Sequence, residues 1–295
     1  MTAFLQLLFQ GLALGCIYAL VAVGFTVIFR ASQVINFAQG SLVLVGAYLI
    51  SVFASGLHLP FVLAVIVSIA LLAAGCVIFQ FLVLQRVLGQ PVFVLVMITI
   101  GLSIAINSAI PAIFGANSRI LGDPWGASAV RAEGLTFTWV QIWTIVCTGL
   151  ILALYFTFDR FSRYGLAMRA TAADQEAALA VGVPIRRVYA LTWAIAGAVA
   201  AVGGLFLSGF PSSVNPTLGD VALRAFPAII LGGLDSLPGA VVGGIAIGII
   251  EVLTSGYAPG WLGNNFADVA PYIAMILVLM IRPYGLFGTR PVERV

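Results

Sequence analysis

The chain has 295 residues, 62% of them hydrophobic and only 8% charged, with a net charge of +3. A soluble domain carries about a quarter charged residues, so this composition excludes an ordinary soluble enzyme or binding module. The thirteen basic residues are all arginine, and they are too few and too dispersed to form a nucleic-acid interface. The chain therefore reads as an all-α integral membrane protein, a single transmembrane domain over residues 1–295.

Residues 2–29, 31–85, 87–118, 134–158 and 188–219 contain no charged side chain. A helix needs about 20 apolar residues to cross the hydrocarbon layer, so residues 31–85 must fold back once. The turn falls at Ser55-Gly56-Leu57-His58-Leu59-Pro60. Spans are expected at about 5–29, 36–55, 60–84, 92–114, 138–158 and 189–209. The first has no basic residue before it and is followed by Arg30, which speaks for a retained span rather than a cleaved signal.

Within the second span, Asn36 and Gln39 have the spacing of a capping box, which predicts a helix start there. A helix start within the membrane presents N–H groups and a partial positive charge. Asn36, Gln39, Gly40 and Ser41 are candidates for the translocation path; a buried cap satisfying its own backbone is the alternative. Loop 115–137 balances Arg119 and Arg131 against Asp123 and Glu133, and Asp123-Pro124-Trp125-Gly126 reads as a turn.

The link over 159–187 is the most polar part of the chain. Residues 166–181 are good helix formers closed by Gly182 and Pro184, which predicts a short helix outside the apolar spans. Arg86, the five arginines of this link, and Arg282, Arg290 and Arg294 place these segments on the cytoplasmic side. Parity then puts the N-terminus outside and the C-terminus inside.

Residues 210–282 must cross an odd number of times. Arg224 to Leu234, Pro238 to Glu251 and Val269 to Ile281 are short, and Pro227, Gly232, Gly233, Pro238 and Gly239 interrupt them. Three crossings on broken helices, or one crossing and a re-entrant pair, satisfy parity, giving eight to nine transmembrane helices in all. Such interrupted segments line transport paths, and Gly232 and Gly233 join the candidate path on that ground. Close packing of glycine-rich helices is the alternative.

Catalysis needs converging ionisable groups. The single histidine, His58, lies in a turn, and Cys16, Cys76 and Cys147 are far apart without metal spacing, so no catalytic or metal residue is assigned. Glu251 is the acid of most interest, expected near an interface. A phosphate-binding loop requires a lysine, and the sequence has none.

Glu176-Ala177-Ala178-x-x-x-Gly182 resembles the loop by which permeases of ATP-driven importers contact their ATPases. Ala190-Leu191-Thr192-Trp193 stands where many importers have an Ile-x-Leu-Pro tail. With Ile35-Asn36-Phe37-Ala38-Gln39-Gly40, Arg163-Tyr164-Gly165-Leu166-Ala167-Met168-Arg169-Ala170, Asp174 and Leu231-Gly232-Gly233-Leu234-Asp235-Ser236-Leu237-Pro238-Gly239-Ala240, the chain is similar to LivH-type permeases for branched-chain amino acids from about residue 4 to 290. The resemblance implies an importer subunit in the bacterial inner membrane, coupled to ATPases through Gly165, Arg169, Asp174, Glu176, Ala177, Ala178 and Gly182. It further implies a LivM-like second permease, two cytoplasmic ATPase subunits that hold the ATP, and an external solute-binding protein. This chain itself would carry no cofactor, and relatives carrying amides or urea belong to the same family. An ion-coupled carrier or channel is the competing class, and it would need acids deep in the bundle.

Overall fold

The structure, a computed structural model, describes residues 2–87, 90–125, 128–132, 135–209, 213–259 and 266–288. Gly126, Glu133, Arg290 and Arg294, used above, lie outside the described residues. The helices in chain order are α1 (Thr2–Ser32), α2 (Gln39–Ser51), α3 (Phe61–Leu82), α4 (Val92–Phe114), α5 (Trp139–Phe161), α6 (Arg163–Ala173), α7 (Gln175–Ala180), α8 (Ile185–Ser208), α9 (Leu218–Leu223), α10 (Ala225–Gly232), α11 (Leu237–Tyr257) and α12 (Phe266–Ile281). A π turn over Val52–Gly56 extends α2. Seven of these helical stretches are long and apolar enough to cross a membrane.

α1 is the central helix. Its residues from Cys16 to Ile28 are all buried, and α11 and α8 pack along it. Lipid tails are as apolar as leucine, so association inside a membrane depends on close packing rather than on hydrophobic drive. The α1–α11 seam shows this directly: a Cβ on Gly248 would lie 2.2 Å from the Gly15 nitrogen, and one on Gly244 would lie 2.4 Å from the Ala19 nitrogen. α3 and α4, by contrast, leave most of their surface outside the core.

The bundle has two distinct ends. At one, Gln6 bonds the backbone of Thr136, Ser51 and Ser55 donate to the Ile120 carbonyl, and strands β1 (Arg119–Ile120) and β4 (Ser213–Val214) pair. A hairpin of β2 (Ala129–Ala132) and β3 (Leu135–Thr138) completes this end. Trp125, in the loop at this end, packs against Phe61, Trp143 and Phe206. The other end gathers Arg30, Asp159, Arg160 and Arg169 beside Asp235 and Pro238.

The chain between Val214 and Leu234 runs from the first end to the arginine-rich end through α9 and α10, broken at Arg224. α11 is a full span reaching Tyr257, longer than the segment expected to close at Glu251. α12 returns toward the arginine-rich end. The described residues of 213–281 thus pass along the bundle three times, once through the broken α9–α10 pair, once along α11 and once along the shorter α12.

Candidate functional site

The polar link does not form the single helix expected over 166–181. Asp174, with φ −161° and ψ 111°, interrupts it, and its carboxylate accepts from the Ala177 amide at 3.0 Å. An aspartate at this spacing caps a new helix better than it continues an old one, so α6 ends and α7 begins. Ser162 caps α6 in the same way, accepting from the Gly165 amide at 2.8 Å. α7 closes in a Schellman turn: the Val183 amide reaches the Ala178 carbonyl at 2.9 Å, and the Gly182 amide reaches Leu179 at 3.0 Å. That turn needs a left-handed residue, and Gly182 has φ +84°.

The seven residues proposed for coupling separate into two groups. Gly165 and Arg169 tie α6 to the end of α5: a Cβ on Gly165 would lie 2.2 Å from the Asp159 carbonyl, and the Arg169 guanidinium stands 3.3 Å from the Asp159 carboxylate. Arg30 at the end of α1 approaches the same carboxylate at 3.7 Å, an ion-pair distance. Ala178 is buried and Asp174 half-buried. Glu176, Ala177 and Gly182 are exposed, as are the side chains of Leu166, Leu179 and Val181.

Asn36 and Gln39 are fully buried, but they do not make the expected capping box. α2 starts at Gln39, and Ala38 is its N-cap, without a side-chain cap. The Asn36 oxygen accepts from the Ala38 amide at 3.1 Å, an Asx turn that competes with helix extension, and its nitrogen donates to Gln39 at 3.3 Å. Gln39 in turn donates to the Ala196 carbonyl of α8 at 3.3 Å. Gly24 leaves room for it, since a Cβ there would lie 2.2 Å from the Gln39 nitrogen. Gly40 lies against the Gly219 carbonyl, and Ser41 shares a 2.8 Å hydrogen bond with Ser103 on α4.

Gly232 and Gly233 lie elsewhere. Gly232 faces Gly239 across the α10–α11 turn, and the Leu286 and Phe287 amides donate to the Leu231 and Gly232 carbonyls at 2.8 and 3.0 Å. These glycines close a hairpin at the arginine-rich end. His58 occupies the turn before α3, with φ +52°.

Toward the arginine-rich end, Asn36 borders a cavity of about 330 Å³ together with Gln80, Thr99, Gln175, Tyr189 and Trp193. Among the described residues, no charged side chain lines it. The solitary glutamine in apolar α3 is a legible signal for this wall; Gln175, one polar residue among many in the polar link, is not.

Glu251 is buried among its neighbours: the Tyr18 hydroxyl donates to it at 2.7 Å, and Arg224 donates at 3.0 Å. Arg224 also reaches Asp268 at 2.7 Å. Arg224 sits at the break between α9 and α10, a position that sequence reading passed over.

With this architecture in hand, a profile described as the permease component of the branched-chain amino acid transport system matches residues 7–279. The chain belongs to this permease family. The permease is 33% identical, over 99% of its length and 98% of the relative's, to the high-affinity branched-chain amino acid transport system permease protein LivH of Escherichia coli (strain K12). It is 30% identical, over 99% and 98%, to BraD of Pseudomonas aeruginosa, a protein of the same description. It is also 24% identical, over 64% and 59%, to a probable branched-chain amino acid transport permease protein LivM of Methanocaldococcus jannaschii. No solved structure matches it.

Proposed function

We propose that this permease is the membrane-spanning subunit of an ATP-driven importer for branched-chain or similar small neutral amino acids. It pairs with a related, LivM-like permease; two ATPase subunits bind at the arginine-rich end, and a solute-binding protein delivers at the other. The arginine-rich end is cytoplasmic by the positive-inside rule, which leaves the N-terminus outside. The observation that carries this reading is the α6–α7 unit. Leu166, Leu179 and Val181 are 63%, 59% and 79% exposed on a segment outside the apolar spans, next to Glu176 and Ala177. Exposed apolar side chains ringed by polar ones mark a protein contact. The unit is tied through Asp159 to α1 and α5, so a push on it is passed to the bundle. Asn36, Gln39, Gly40 and Ser41 form the polar seam of the translocation path.

A buried acid would favour an ion-coupled carrier, but Glu251 is already paired with Arg224. The test is co-purification with the partner subunits, followed by ATP hydrolysis in liposomes. Hydrolysis that rises with leucine-loaded binding protein supports the reading. Leucine uptake by this chain alone, driven by an ion gradient, overturns it.

A further inference from the structure

The cavity beside Asn36 contains an anomaly. Gln80 is 1% exposed, and neither its Nε2 nor its Oε1 has a hydrogen-bond partner. A buried primary amide left without partners costs roughly 1–3 kcal/mol for each unmet group, and native proteins rarely carry that cost without a reason. Gln80 is one of the residues lining a space of about 330 Å³, within the size range of small-molecule sites. The lining also includes the polar Asn36, Thr99 and Tyr189 and the apolar Leu95 and Trp193.

We propose that this cavity is a binding site for one small neutral amino acid, with Gln80 as the head-group ligand. The assignment rests on the importer reading and names the solute's resting place within it. A primary amide can donate to a carboxylate and accept from an ammonium group, so Gln80 serves either end of a zwitterion. The apolar side takes an aliphatic side chain. A side chain bearing net charge would be desolvated in a wall that has no counter-charge among the described residues, which disfavours glutamate and arginine. Gln175, the first residue of α7, donates from Nε2 to the Ala31 carbonyl at 3.3 Å and also bonds the Tyr189 hydroxyl. One wall of the site therefore belongs to the docking element.

The experiment is equilibrium binding of radiolabelled leucine to the purified permease–ATPase complex in nanodiscs, without binding protein. Saturable leucine binding is expected, with no competition from glutamate. Gln80→Leu should weaken it by at least about fivefold, the effect of one or two lost hydrogen bonds. Its melting temperature should hold or rise, because an unsatisfied polar group is removed. Leu95→Trp, which fills the cavity, should abolish binding. Absence of saturable binding up to about 10 mM, at the weak limit of specific recognition, overturns the assignment. So does unchanged affinity in both variants, or a lower melting temperature in Gln80→Leu accompanying its loss of binding. Stimulated hydrolysis is measured on the same preparation. Leucine binding without stimulation overturns the importer reading and leaves the site standing.

Discussion

Arg224 and Glu251 meet at 3.0 Å inside the bundle, joining the break between α9 and α10 to the middle of the neighbouring span. A helix break leaves backbone groups unpaired in a medium without water, and it persists only where the surrounding structure holds it. Arg224 holds this one from two sides, with Glu251 at 3.0 Å and Asp268 at 2.7 Å.

Removing one partner of such a pair leaves a buried charge behind. Arg224→Met, which strands the Glu251 carboxylate, should therefore lower stability by about 3 kcal/mol, and Glu251→Met should cost less, because Asp268 stays 2.7 Å from Arg224. Arg224→Met combined with Glu251→Met should lose less than Arg224→Met alone, because no orphan charge at Glu251 remains. Thermal unfolding in detergent, run as a double-mutant cycle, checks both. Equal losses for the double variant and the sum of the singles would show that the contact carries no coupling.

Gly182 lies at φ +84° with open space around the position a Cβ would take. A β-branched side chain there would not clash; it would strain the backbone by about 1–2 kcal/mol and open the Schellman turn. Gly182→Val should leave insertion and pairing with the second permease intact while uncoupling hydrolysis from transport or releasing the ATPases. Gly182→Asn, which tolerates the left-handed region, should keep most of the coupling. Pull-down and stimulated hydrolysis in liposomes are the readouts.

The α1–α11 seam has no spare room. Gly248→Val should abolish folded yield, since its Cβ would meet the Gly15 backbone at 2.2 Å. Gly149→Ala on α5, with nothing within 4 Å, should be neutral or slightly stabilising through helix propensity. Size-exclusion profiles of the two variants decide the matter.

Gln175 belongs to α7 but bonds inward, to Ala31 and Tyr189. Gln175→Leu keeps the outward residues Glu176 and Ala177 and should retain ATPase docking in a pull-down. Leucine moved per ATP hydrolysed should fall severalfold, as expected when about 1 kcal/mol of hydrogen bonding between the docking element and the bundle is lost. Unchanged stoichiometry would show that α7 does not act on the bundle through this residue.

Some of this protein was legible along the chain. Uncharged stretches longer than a bilayer is thick have one stable solution, so the spans from Phe61–Leu82 to Ile185–Ser208 fell within a few residues of expectation. Gly182 and Pro184 marked a helix end by local sterics alone. Three features depended on partners distant in sequence. Asp174 could continue or cap a helix, and the clamp of Arg169 and Gly165 on Asp159 accompanies the choice made. The burial of Glu251 depends on Tyr18 and Arg224, which no local pattern connects to it. The cavity beside Asn36 exists only where α1, α3, α4, α7 and α8 converge. Hydropathy is a sum over neighbours in sequence and reports the membrane; a site is a meeting of distant residues, and packing alone brings them together.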